Sequence, residues 1–108
     1  MDYQFCCPCC GYSGLNKRAY ERLLKLPVDA VCEPPYSQYF GMPSYDVCSC
    51  CGFEFGNDDE PGIGEPDSFQ SYLSEWIDGG AVWFDPQRRP ADWSLVEQLR
   101  RAGIPSPT

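Results

Sequence analysis

Histidine is absent from this chain. That excludes imidazole acid–base catalysis and every metal site built on a histidine ring. Basic side chains are scarce too: eight Lys and Arg face sixteen Asp and Glu, for a net charge of −8. Arg88-Arg89 and Arg100-Arg101 are isolated pairs, not a basic face, so direct nucleic-acid binding is not expected. No run approaches the ~20 apolar residues of a membrane span. No stretch reads as a signal peptide, since Met1-Asp2-Tyr3 runs almost directly into the first cysteine motif. The expectation is a cytoplasmic chain in a reducing compartment, with no membrane partner.

Cysteine, by contrast, is abundant, with eight in 108 residues. Six of them fall in two copies of one phrase, Cys7-Pro8-Cys9-Cys10-Gly11-Tyr12 and Cys48-Ser49-Cys50-Cys51-Gly52-Phe53. Each copy holds a Cys-x-x-Cys pair followed at once by glycine. Two intervening residues let a tight turn aim both sulfurs at one point about 2.3 Å away, the Zn–S distance. Glycine then tolerates the crowded, left-handed backbone that points amide N–H groups at the sulfurs. Cys6-x-x-Cys9 is also a legal pair, but it lacks the following glycine and has no counterpart in the second phrase. The expected ligands are therefore Cys7, Cys10, Cys48 and Cys51, holding one Zn²⁺, with iron as the less favoured ion. Cys6, Cys9, Cys32 and Cys50 are expected to be thiols outside the ligand set. Four disulfides are the competing use of eight cysteines, disfavoured by the reducing compartment.

The length suits a single domain, 1–108, with a modest core that a structural metal would reinforce. Strands are expected at Tyr3–Phe5, Ser44–Val47 and Phe53–Phe55, flanking the two knuckles. A helix capped by Asn16 would begin at Lys17, with Ala19, Tyr20, Leu23 and Leu24 on one face, and Pro27 would stop it. The expected fold class is small α+β: a zinc-ribbon or rubredoxin-like two-knuckle core over 1–56, with a helical insertion near 16–33. A helical part, 57–108, would pack on it. There Asp67 with Gln70 forms a capping box ahead of Phe69, Tyr72, Leu73, Trp76 and Ile77, which recur at helical spacing until Gly79-Gly80. Ser94 with Glu97 opens a last short helix that Gly103 closes. Ala81-Val82-Trp83-Phe84 reads as a short strand or a segment tucked against the ribbon.

The acidic loop 56–62 lacks EF-hand spacing, so a solvated loop is the ordinary reading. The sharper reading is a docking patch for a cationic protein, with Asp58, Asp59 and Glu60 as partner-binding residues. Tyr36, Tyr39 and Phe40 are read as covering residues, or as a sticky surface for the same partner. Four-thiolate zinc is closed to substrate water, and nothing supplies Cys9 or Cys50 with a base, so an enzyme is not expected. A rubredoxin-like iron electron carrier is a further alternative, as is a thiol-redox or metal-sensing protein.

The chain resembles small bacterial cysteine-rich proteins of the CPCC type. The resemblance rests on Cys7-Pro8-Cys9-Cys10-Gly11-Tyr12, on Pro43 through Gly56, on Trp76…Gly79-Gly80…Val82-Trp83-Phe84, and on Arg89-Pro90…Trp93. Residues 16–33 look like an insertion relative to that pattern, and Ser49 stands where proline is more usual. The resemblance implies a metal-binding bacterial cytoplasmic protein and carries no defined activity. Immunity proteins that neutralise a basic toxin are one role it leaves open.

Overall fold

The computed structural model describes residues 5–23 and 32–106. Three α-helices lie along it: α1 (Ser37–Phe40), α2 (Phe69–Asp78) and α3 (Leu95–Ala102), with a single 3₁₀ turn at Pro86–Arg88 between the last two. Among the described residues there is no β-strand and no sheet. Two isolated antiparallel bridges, Tyr20 with Pro43 and Val47 with Glu54, are all that form. This overturns the expected α+β class and its strand-flanked zinc-ribbon or rubredoxin-like core.

The reason is visible at the second knuckle. Cys48 N–H donates to the Phe53 carbonyl and Phe55 N–H to that of Asp46, at 3.0 and 3.2 Å, around the Val47–Glu54 bridge. On either side the backbone turns left-handed, at Tyr45 (φ +61°) and Gly56 (φ +98°). Neither conformation continues a strand, so the ladder ends after one rung.

The helix expected from Lys17 is also missing from residues 17–23, and Leu24–Leu26 lie outside the described residues. Ala19, Tyr20 and Leu23 are buried as that reading required. They get there in irregular backbone, because Tyr20 pairs with Pro43 and Arg22 N–H donates to the Phe40 carbonyl. Two cations at the start of the segment already disfavoured a helix dipole.

The C-terminal helices follow their sequence signals more closely. In α2 the capping residue is Ser68, whose hydroxyl accepts from Ser71 N–H at 3.1 Å, not Asp67. Asp67 is held elsewhere, its N–H donating to the Asp58 carbonyl. Phe69 and Leu73 are buried, with Tyr72, Trp76 and Ile77 packed beside them. In α3 Ser94 accepts from Glu97 N–H at 3.2 Å, and Gly103 adopts the left-handed conformation that stops the helix.

The core is aromatic. Tyr36 stacks on Phe69 with centroids 3.8 Å apart, and Tyr20 meets Tyr36, Phe55 and Phe69 edge-on. The Tyr36 hydroxyl accepts from Phe69 N–H, satisfying one of the donors that the first turn of α2 leaves open. Burial pushes the Tyr36 phenol up to about 12. At the centre lies Asp59, with 0% exposure. Its carboxylate accepts from the Tyr20 hydroxyl, Tyr36 N–H and Gly56 N–H, at 2.8, 3.0 and 2.8 Å.

Candidate metal centre

Each knuckle is closed by the same two backbone hydrogen bonds. Cys7 N–H donates to the Tyr12 carbonyl, and Gly11 N–H to that of Cys7. Cys48 N–H donates to Phe53, and Gly52 N–H to Cys48. Gly11 and Gly52 share the same left-handed φ of +85°. The repeated phrase in the sequence is thus a repeated loop in space.

Facing one another, the two loops bring together the sulfurs of Cys7, Cys10, Cys48 and Cys51, all within 4.8 Å of one another and all buried. Across the seam Cys7 Sγ lies 3.9 Å from Cys51 Sγ, and Cys10 Sγ 3.8 Å from Cys48 Sγ. A tetrahedron with bonds of about 2.3 Å has edges of about 3.8 Å, so the two cross-seam pairs already stand at the separation a thiophilic ion needs. These four cysteines form a tight buried cluster that could hold a metal ion.

The electrostatics point the same way. Burial pushes the Cys7 thiol up to about 12, and Cys10 and Cys51 well above the ordinary thiol value. Burial acts on Cys48 too, but hydrogen bonds from Cys10, Cys51 and Cys7 outweigh it and carry that thiol well below. One thiolate can thus be solvated by its neighbours' S–H groups. Four can ionise together only around a cation, which would displace the remaining protons. Cys9 N–H, 3.4 Å from Cys7 Sγ, is a fixed dipole already aimed at one sulfur.

All eight cysteines fall within the described residues, and none is in a disulfide. Cys9 is buried with its thiol donating to the Phe69 carbonyl, and Cys50 is buried with its sulfur accepting from Gln98 Nε2. Cys6 is buried and Cys32 half-buried. The C-terminal half covers both knuckles. Residues 82–85 tuck against the second, where Phe84 N–H and Asp85 N–H donate to the Cys50 and Ser49 carbonyls. Tyr72 Oη donates to the Cys51 carbonyl at 3.2 Å, and α3 lies on the first knuckle.

This close covering distinguishes the two glycines. A Cβ at Gly11 would sit 2.7 Å from Ala102 Cβ, whereas at Gly52 the nearest atoms are 3.3 Å away, on Phe84 and the Tyr72 hydroxyl. Gly11→Ala is expected to lose about 2–4 kcal/mol of stability, from the left-handed backbone and the overlap together. Gly52→Ala should lose only about 1–2 kcal/mol, from the backbone conformation together with a tight contact that the Phe84 and Tyr72 side chains can relieve by shifting. Denaturant midpoints of the two variants measure the difference, and equal losses would contradict the packing described for α3.

The three acidic residues read as a docking patch are separated by the fold. Glu60 is exposed and accepts from the Ser37 hydroxyl at 2.9 Å. Asp58 is half-buried and accepts from Glu54 N–H at 2.7 Å. Asp59 is the buried hub of the aromatic core and presents nothing to a partner. Residue patterning did not separate Asp59 from its neighbours. It also missed Gln98, although a glutamine at the i+3 position of the apolar stripe Leu95, Leu99, Ala102 was a readable signal.

Among the described residues no helix is long and apolar enough to cross a membrane. No family model matches the chain, and no solved structure matches it. The chain is similar to a protein of Bacillus subtilis (strain 168) described as "Uncharacterized protein YoaQ", 30% identical over 119 aligned positions that cover 93% of this chain and 87% of that one. At that identity and coverage, the chain belongs to the same family as YoaQ.

Proposed function

We propose that this protein is a non-catalytic interaction module, stabilised by one zinc ion on Cys7, Cys10, Cys48 and Cys51, that binds a basic protein partner. The observation that carries the metal part is the buried set of four sulfurs with cross-seam distances of 3.8 and 3.9 Å. A closed four-thiolate site leaves no position for a substrate water, which favours a structural ion over a catalytic one. The net charge of −8 supports a cationic partner, drawn in by long-range attraction. So does the surface beside the acidic loop. Exposed Tyr39, Met42 and Tyr45 lie on the segment that Ser37 ties to Glu60, and the Tyr45 ring packs over Gly56. Inhibition of a basic toxin is one specific form of this role, left open by the resemblance to CPCC proteins.

Metal analysis of the purified protein should give one zinc per chain, and a red, redox-active preparation would instead favour iron. Capture of the metal-loaded protein's partners at low and moderate salt should yield one stoichiometric basic protein, released as salt rises. With that partner in hand, Asp58→Lys together with Glu60→Lys is expected to slow association about 10-fold or more at low salt. An unchanged on-rate would remove the acidic loop as the docking site. Absence of any partner at either salt would remove the interaction role and leave the metal assignment standing.

A further inference from the structure

Gln98 interrupts an apolar stripe. A primary amide taken out of water is costly unless its hydrogen bonds are remade inside. Gln98 is 8% exposed, and its bonds are remade. Oε1 accepts from Trp93 Nε1 at 2.9 Å, while Nε2 donates to the Cys10 carbonyl at 3.0 Å and approaches Cys50 Sγ at 3.5 Å. An indole nitrogen only donates, so Trp93 fixes which end of the amide faces the cysteines. Trp93 is itself held, packed edge-on against Trp83 and covered by the Arg89 guanidinium at 5.3 Å.

The two groups that Nε2 reaches belong to different knuckles. Cys10 is in the first, and the carbonyl that accepts is that of a residue whose sulfur joins the cluster. Cys50 is in the second, between Cys48 and Cys51. One NH₂ group therefore spans the seam between two loops that are far apart in sequence. A methionine would fill the same space beneath α3 without that link. What the amide adds is a fixed relation between the loops, and hence between the two pairs of sulfurs.

We propose that Gln98 is a positioning residue for the metal centre, bracing the two knuckles at the separation and angle that four-thiolate coordination needs. The proposal rests on the reading of Cys7, Cys10, Cys48 and Cys51 as ligands. Groups one shell out from a metal typically change its affinity by about 10–100-fold when removed, and that is the size of effect expected here. The coupling runs both ways: a filled site favours docked α3, and docked α3 favours a filled site.

The test uses the whole chain loaded with Co²⁺, whose thiolate charge-transfer bands report the geometry of the four sulfurs, with affinity read by chelator competition for Co²⁺ and Zn²⁺. Gln98→Met keeps the length and removes both donors. It is expected to weaken metal binding about 10–100-fold and to shift the Co²⁺ bands. Ser94→Ala weakens α3 at its cap without touching the Gln98 bonds, and should leave the bands where wild type has them. Gln98→Met with wild-type affinity and bands would overturn the proposal. So would Ser94→Ala matching Gln98→Met in both readouts, since Gln98 would then be only part of the packing of α3. Should Gln98→Met not fold, Trp93→Phe frees the amide while keeping a ring, and unchanged affinity and bands in that folded variant would overturn the proposal equally. Failure of the wild-type chain to take up either ion would instead overturn the ligand assignment, and the proposal with it.

Discussion

Chelating the metal out of this protein is expected to unfold it, not to leave a folded shell. The longest described helix has ten residues, and no sheet holds the described residues together. The aromatic core is hung on the two knuckles: Phe53 and Phe55 leave the second directly, and Phe69 is bonded to Cys9. Structural zinc contributes on the order of 10–16 kcal/mol of apparent binding energy in small modules, comparable to the whole stability of a typical domain at about 5–15 kcal/mol. Near-ultraviolet circular dichroism of the tryptophans should therefore flatten on chelation and recover with one equivalent of zinc. Serine at Cys7, Cys10, Cys48 or Cys51 should reproduce the chelated state, whereas Cys9→Ser and Cys50→Ser should remain folded. Because protons compete for the same sulfurs, metal affinity should rise with pH and fall in acid. A chelated protein with an unchanged spectrum and a cooperative thermal transition would refute the idea that the ion holds the fold.

Asp59→Ala should be the most destabilising single substitution outside the cysteines, at about 3–5 kcal/mol. It would strip the acceptor from three donors at once, the Tyr20 hydroxyl and the N–H groups of Tyr36 and Gly56, at a site with 0% exposure. Each hydrogen bond to a charged group is worth about 1.5–3 kcal/mol, and the three share one carboxylate, so their losses will not simply add. Asp58→Ala is the matched control. Its half-buried carboxylate accepts from Glu54 N–H, and its removal should lose about 1 kcal/mol. Equilibrium denaturation of the pair decides the matter. Equal, small losses would show that the Asp59 donors find other acceptors.

How far the sequence carried the structure depends on how local each signal was. The knuckles were legible because their chemistry is complete within six residues: two thiols, a turn between them and a glycine that accepts φ +85°. The caps of α3 were legible for the same reason, and that of α2 to within one residue. Strands were misread because alternation in Phe53-Glu54-Phe55 and Ser44-Tyr45-Asp46-Val47 is compatible with a single bridge. What limits the ladder is the left-handed backbone at Tyr45, a conformation that a bulky residue rarely adopts and patterning does not predict. The Lys17 helix is missing over residues 17–23 because the partners of Ala19 and Tyr20 come from residues 36–44 and 55–69, not from the next turn. Asp59 and Gln98 were hidden for a related reason. Each is a polar residue whose meaning lies largely in groups far along the chain, Tyr20 and Tyr36 for Asp59, Cys10 and Cys50 for Gln98.

The duplicated knuckle has a consequence for chain length. Residues 11–47, 37 in all, lie between the two pairs of thiols, and closing such a span costs conformational entropy that grows only as the logarithm of its length. Doubling it adds only about 0.6 kcal/mol. Once an ion joins the two ends, the segment between them can lengthen or shorten at almost no thermodynamic penalty. Residues 11–23 and 32–47 of that span can then be shaped by what they bury and what they present, because the clasp, not the thread, sets the register.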